Sequence, residues 1–219
     1  MFRIVALLFV ISVSSAVAQA DPVTGGFYRF GGSFSSLTER MSFGGPGYGV
    51  SGLASTQFGI SLPAMFTCFP CATGTSVNLS SSAFLVAGDF AFGTITVNGI
   101  SRSLATSSMG FSAGTVIVPV TTDPFVTLSA PFTLTNGGAS GGGIGVGGLT
   151  GSGTAFLSLD FVGTDAAGNR LYRFNELTYI FNSGIAPVPE PVPEPASMLL
   201  LLSGVLALPG VLRKRKGRA

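Results

Sequence analysis

The sequence predicts an all-β protein: a single antiparallel β-sandwich or jelly-roll-like domain, flanked by an N-terminal signal peptide and a C-terminal transmembrane helix. Three observations predict the β-rich domain, which is expected over residues 21–186. Short stretches alternate apolar and polar residues, turn signals rich in Gly, Asn and Pro separate them, and no amphipathic run at helical spacing exceeds two turns before residue 190. About six to ten short strands are expected at this spacing.

The first 20 residues have the three-part layout of a secretory signal peptide. Arg3 supplies a positive start, residues 4–13 are apolar apart from one Ser, and small residues follow up to Ala20. The apolar run is shorter than the roughly 20 residues of a membrane-spanning helix, which argues against an uncleaved anchor. We expect signal peptidase to cut after Ala20, with Ala18 as the alternative.

Two hairpins are the clearest local predictions within the domain. In GTITVNGISRSL, residues 93–104, alternating runs flank Asn98-Gly99. Both turn positions tolerate positive φ, so a two-residue type I′ turn is predicted there. A second strand pair is predicted on either side of DAAGN, residues 165–169, where apolar and aromatic residues alternate before and after the turn.

Residues 137–153 contain ten Gly and predict a flexible loop. Within them Gly143, Gly145 and Gly148 match the bare spacing of a dinucleotide-binding fingerprint. That fingerprint functions only between a strand and a helix, with an acidic residue about 20 positions further on. Here the neighbours are Gly and Thr in a β-rich context, so no nucleotide site and no cofactor are expected.

Cys68 and Cys71, in the sequence CFPC, are the only two cysteines. A zinc site needs about four ligands, and the chain has no His and no other Cys. A thioredoxin-like redox site needs a βα context that the following residues do not offer. Because an exported protein resides where disulfides persist, we predict a structural disulfide that orders a local turn.

Charge is scarce in the domain, and this argues against nucleic-acid binding. The chain has a formal charge of +2, and removing the six basic residues of the two termini leaves −4 for residues 21–195. This part of the chain has five Arg, no Lys and nine carboxylates. It therefore lacks the basic patch that would neutralise phosphates.

Catalysis is not expected. The absence of His removes the usual general base and the Ser-His-Asp arrangement. A hydrolytic carboxylate pair remains the weakest of three functional hypotheses, because no two candidates share a persuasive spacing. The candidates are Asp89, Asp123, Asp160, Asp165 and Glu176.

The C-terminal region predicts a membrane helix with a defined orientation. Residues 196–212 carry no charge and would form about 25 Å of helix, slightly less than a bilayer core. A basic tail over residues 213–219 follows, and such clusters stay on the cytoplasmic side. The signal peptide requires the same topology. The residues that set it are Arg213, Lys214, Arg215, Lys216 and Arg218.

A sorting motif precedes this helix, in the Pro-Glu-Pro linker over residues 187–195. The motif is Val192-Pro193-Glu194-Pro195, and with the helix and the basic tail it resembles the PEP-CTERM sorting signal of exported bacterial proteins. The resemblance implies processing by exosortase, a membrane-embedded cysteine peptidase, and removal of the helix. A Pro-rich linker before an ordinary anchor is the alternative. The earlier copy, Pro189-Glu190-Pro191, is interpreted as a stiff spacer.

Together these features predict a non-enzymatic protein of the cell envelope or extracellular matrix, with a structural or adhesive role. Its precursor would be held in the inner membrane and would reach the cell surface or the medium after tail removal. Expected partners are signal peptidase, exosortase and the membrane, with exopolysaccharide as a further candidate. The alternative is a carbohydrate-binding β-sandwich module. The chain's 19 Phe, four Tyr and absence of Trp favour the structural role.

Overall fold

A computed structural model describes residues 21–33, 36–55 and 60–182. Strands hold 72% of these residues, and almost none are helical. The predicted all-β class is therefore confirmed. The signal peptide predicted for residues 1–20 and the linker, helix and tail predicted for residues 187–219 lie outside the described residues. Within the described ranges, no helix is both long enough and apolar enough to cross a membrane.

Fifteen strands follow one another along the described part of the chain, with two short helices among them. The first seven strands are β1 (Gly25–Ser33), β2 (Ser36–Gly45), β3 (Tyr48–Ser55), β4 (Ile60–Ser61), β5 (Cys71–Ala72), β6 (Ser76–Asn78) and β7 (Ser81–Val86). The other eight are β8 (Phe90–Val97), β9 (Ile100–Ser103), β10 (Thr106–Ala113), β11 (Thr115–Ile117), β12 (Phe125–Gly141), β13 (Ile144–Gly147), β14 (Gly151–Thr164) and β15 (Arg170–Phe181). Helix α1 spans Pro63–Thr67, and a 3-10 turn spans Ala87–Asp89.

Thirteen of these strands form one hydrogen-bonded sheet. Its order is β4-β7-β10-β12-β14-β15-β1-β2-β3-β8-β9, with β13 paired to β12 and β5 paired to β15. Strands β6 and β11 form a separate antiparallel pair. β15 therefore lies in the middle of the sheet and joins the half that ends in β4 to the half that ends in β9.

The sheet curls over its own core. Phe111 on β10 stacks on Tyr179 on β15 with the ring centroids 4.1 Å apart, although β12 and β14 lie between these strands in the sheet. Tyr28 on β1 also reaches Phe111, with the ring centroids 5.4 Å apart. Aromatic rings from distant strands thus fill the space that the curled sheet encloses, where their burial is the main stabilising contribution.

Alternation along each strand decides which side chains enter this core. On β2 the buried positions are every second residue, and they include Leu37, Met41 and Phe43. On β7 the same alternation buries Ala83 and Leu85. Because successive side chains in a strand point to opposite faces, the other positions form the outer face of the sheet.

Both predicted hairpin turns are present. Asn98 and Gly99 have φ values of 48° and 80°, as a type I′ turn requires, and β8 pairs with β9 across them. The second turn joins β14 to β15 around Asp165. Its carboxylate accepts hydrogen bonds from the backbone N–H of Ala167 at 2.9 Å and of Asn169 at 2.8 Å.

The prediction of a flexible loop over residues 137–153 is wrong. This segment contains the end of β12, all of β13 and the start of β14. Its Gly content has a packing cause, because a Cβ on Gly141 would overlap the carbonyl oxygen of Ser103 and one on Gly153 would overlap that of Ile180. Glycine therefore permits a close backbone approach between strands here.

Candidate functional site

The predicted sorting motif and basic cluster lie outside the described residues. This applies to Val192, Pro193, Glu194 and Pro195, and equally to Arg213, Lys214, Arg215, Lys216 and Arg218. Their roles remain predictions from the sequence.

The predicted disulfide is supported by the structure, which places the sulfur atoms of Cys68 and Cys71 at bonding distance. Both cysteines are buried, and the carbonyl oxygen of Cys68 accepts the backbone N–H of Phe174 on β15 at 2.9 Å. Cys71 pairs with Tyr172 on the same strand. The short CFPC loop is therefore docked against β15, and it presents Phe69, which is 59% exposed, to the outer surface.

Beside this loop, the outer face of the sheet carries a groove made of two adjoining depressions, here called the outer groove. They have volumes of about 240 and 410 Å³ and share Gly32 and Asn175 as lining residues. The first is bounded by Phe69 and the second by Leu53. The charged side chains that line the two depressions are Asp160, Arg173, Arg29, Arg40 and Glu176.

The groove exists because β1 offers no side chains in its centre. Gly31 and Gly32 lie on β1 between β15 and β2, and both contribute to the floor. A Cβ on Gly31 would make ordinary van der Waals contacts with Glu176 and Asn175, at 3.9 to 4.0 Å. Larger side chains on the flanking strands form the walls of the depression.

Three of the five Arg of the domain line this groove. Arg29 approaches Glu176 with Nε and Oε1 3.2 Å apart. Within the described part of the chain, the guanidinium groups of Arg40 and Arg173 have neither a hydrogen bond nor an ion pair. Asp160 accepts a hydrogen bond from the side-chain amide of Asn175 at 3.2 Å. Arg173 lies directly opposite Asp160, whereas Arg40 has Arg29 and Leu53 as its cross-strand neighbours. The groove therefore offers guanidinium groups beside hydrogen-bonding carboxylates, and Arg40 is the one without a carboxylate opposite it.

The remaining candidate carboxylates have local structural roles. Asp89 accepts the backbone N–H of Val86 at 2.9 Å, and Asp123 accepts the hydroxyl of Thr121 at 2.7 Å. In the turn after β14, hydrogen bonds from Asn169 hold the pKa of Asp165 below its ordinary value. The fold thus brings Asp160 and Glu176 into one groove, which their sequence positions did not indicate.

A buried acid lies on the opposite face of the sheet. Glu39 on β2 is fully buried, and its Oε2 accepts the hydroxyl of Tyr28 at 2.6 Å. Its Oε1 and the hydroxyl of Ser107 have no hydrogen-bond partner in the described structure. Burial raises the pKa of Glu39 to about 7 and also raises the pKa of Tyr28.

Sequence reasoning missed Glu39, although a signal was present. In SLTERMSF, Glu39 occupies the same alternating positions as Leu37, Met41 and Phe43. The pattern therefore placed a carboxyl group among core residues. Since Glu39 has no exposure to solvent, its chemistry acts on folding stability and does not reach a ligand in the outer groove.

Among the described residues, no three His, Cys, Asp or Glu side chains gather in a way that could hold a metal ion. No protein family, no curated protein and no solved structure matches this chain.

Proposed function

We propose that this chain is an exported bacterial protein of the cell envelope or extracellular matrix, sorted by exosortase through a PEP-CTERM tail, with a non-enzymatic structural or adhesive role. The observation that carries this proposal is the order of three sequence parts: Val192-Pro193-Glu194-Pro195, the uncharged segment 196–212, and the basic cluster after it. Signal peptidase removes residues 1–20, and exosortase releases the inner-membrane-anchored precursor to the surface or the medium.

On this proposal, the curled sheet is a sandwich-like body held outside the cytoplasm. The disulfide of the CFPC loop suits such an oxidising compartment. Five Phe side chains are each more than half exposed in the described structure, and an adhesive role would use those that form one apolar patch. They are Phe66, Phe69, Phe84, Phe92 and Phe125.

The test compares two single substitutions in a host that carries exosortase. Glu194→Ala is expected to block removal of the tail, so that the protein keeps residues 196–219 and stays with the membrane. Glu190→Ala, in the earlier Pro-Glu-Pro copy, is the matched control and is expected to be processed like the wild type. Intact-mass measurement of each form identifies its C-terminus, and a wild-type mature form still ending at Ala219 would overturn the sorting assignment.

Carbohydrate binding is the second candidate function, and the outer groove favours it. An exposed aromatic ring at one end and several hydrogen-bonding side chains along the walls are the features with which shallow protein surfaces hold sugars. This candidate is compatible with surface display, because an adhesive protein can act through a bound polysaccharide.

A further inference from the structure

We propose that the outer groove binds a polyuronate, that is, an oligosaccharide whose sugar units carry carboxylate groups. The inference rests on the carbohydrate-binding candidate above and adds the charge class of the ligand. It does not depend on how the tail is processed.

Most of the positive charge of the domain lies along the groove. Residues 21–195 carry a net charge of −4 and only five Arg, yet three of these lie along one groove. Arg40 has no acidic residue opposite it on either neighbouring strand, whereas Arg173 lies opposite Asp160 on β14 without forming an ion pair. A guanidinium group presents a planar pair of donors that matches a carboxylate in a bidentate hydrogen bond. The groove is therefore equipped for carboxylates.

A bound anion would relieve an unfavourable contact between two arginines of the groove. Arg29 and Arg40 lie directly opposite each other on β1 and β2. Like charges in directly opposite positions destabilise a sheet. Glu176 lies close to Arg29 and compensates one of the two charges, which leaves Arg40 as the unbalanced member of the pair. An anionic group between the strands would balance it.

The carboxylates of the groove favour a sugar acid over an acidic peptide. Asp160 and Glu176 line the same groove as the three Arg, so that it carries both signs of charge and a net charge of +1. Carboxylate oxygens accept hydrogen bonds from hydroxyl groups and repel other carboxylates. An oligosaccharide that presents hydroxyls and carboxylates side by side satisfies both the carboxylates and the Arg side chains of the groove. A ligand with carboxylates alone is repelled by Asp160 and Glu176.

The length of the groove indicates an oligomer. Arg40 on β2 and Arg173 on β15 are separated by two strand spacings and by about five residues along the strand direction, since Arg40 aligns with Arg29 and Arg29 with Thr178. With standard strand dimensions their Cα atoms lie roughly 20 Å apart. One sugar unit cannot contact both arginines, so several units of the chain would lie across β15, β1 and β2.

Binding is tested on the full chain, purified in mild detergent, by calorimetry with oligomers of polygalacturonate. The matched ligand is the methyl-esterified oligomer, which has the same backbone without the charge, and polyglutamate tests for attraction by charge alone. Polygalacturonate is expected to bind at least about tenfold more tightly than either control, because the Arg side chains form charge-assisted hydrogen bonds only with its carboxylates.

Arg40→Gln and Arg173→Gln are each expected to weaken this binding about tenfold. Arg102→Gln, on β9 and outside the groove, is the control and is expected to leave the affinity unchanged. Circular dichroism confirms that each variant retains its fold. Equal binding of the esterified oligomer or of polyglutamate would overturn the inference, as would an equal loss in Arg102→Gln. Failure of tail processing, by contrast, would contradict only the sorting assignment.

Discussion

Strands β1 and β2 carry two neighbouring polar pairs that face opposite sides of the same sheet. Tyr28 and Glu39 point into the core, while Arg29 and Arg40, one position along each strand, lie on the outer face. The inner pair is fully buried, and burial raises the pKa of Glu39 to about 7. The outer pair is solvated and lines the groove. The face on which a residue lies thus decides whether its charge is buried in the core or available at the surface.

The largest expected difference between the faces concerns Phe side chains. Phe111→Ala should lower the free energy of unfolding by about 4 kcal/mol, because it leaves a cavity among packed aromatic rings. Phe125→Ala is the matched control, since Phe125 is 71% exposed and Phe111 is 3% exposed. Its effect should stay within about 0.5 kcal/mol. Denaturant unfolding of the purified protein measures both, and similar losses would contradict the assignment of the faces.

The next effect is a dependence of stability on pH. The pKa of the Glu39 carboxyl is about 7 in the folded protein, against an ordinary value of 4.5. The folded state therefore holds this proton more tightly than the unfolded chain, and stability falls as the pH rises from about 4.5 to above 7. The loss is expected to approach about 3 kcal/mol.

Glu39→Gln tests this effect because it keeps an acceptor for the hydroxyl of Tyr28 but cannot ionise. The variant is expected to remove most of the decline above pH 4.5 and to exceed the wild type in stability at pH 8. Chemical unfolding at a series of pH values measures the slope. An unchanged slope in the variant would show that another group is responsible.

The smallest effect belongs to the outer pair. Arg40→Gln removes a like charge opposite Arg29 and should raise the free energy of unfolding by about 0.3 kcal/mol at low salt. Screening should abolish this gain at about 1 M salt. Arg102→Gln is the control and should show no gain. A clear loss of stability in Arg40→Gln would mean that Arg40 contributes to the fold and not only to the groove.

The all-β class and both hairpin turns could be predicted from the sequence because their causes are local. Asn98-Gly99 and the Asp165 turn depend on backbone preferences and hydrogen bonds within a few residues. The strands at residues 137–153 could not be predicted, since the need for Gly141 and Gly153 comes from Ser103 and Ile180 across the sheet.

The groove escaped prediction for a similar reason. Its charged residues come from β1, β2, β14 and β15, and only the pairing of β15 with β1 brings the two ends of the domain together. Glu39 differs, because the alternation along β2 already placed it on the core face. That residue could have been found by asking which acid shares the period of its apolar neighbours.

The central place of β15 has a consequence for the timing of folding. Gly26 pairs with Phe181, so the two halves of the sheet join only when nearly the whole domain is available. In a chain exported N-terminus first, as proposed here, β1 to β14 emerge before the strand that connects them. Contacts between such distant residues form slowly and leave strand edges open in the meantime. On the proposed sorting route, a tail that pauses in the membrane would hold the emerging chain there while β15 pairs with β14 and β1. Release would then follow the completion of the sheet.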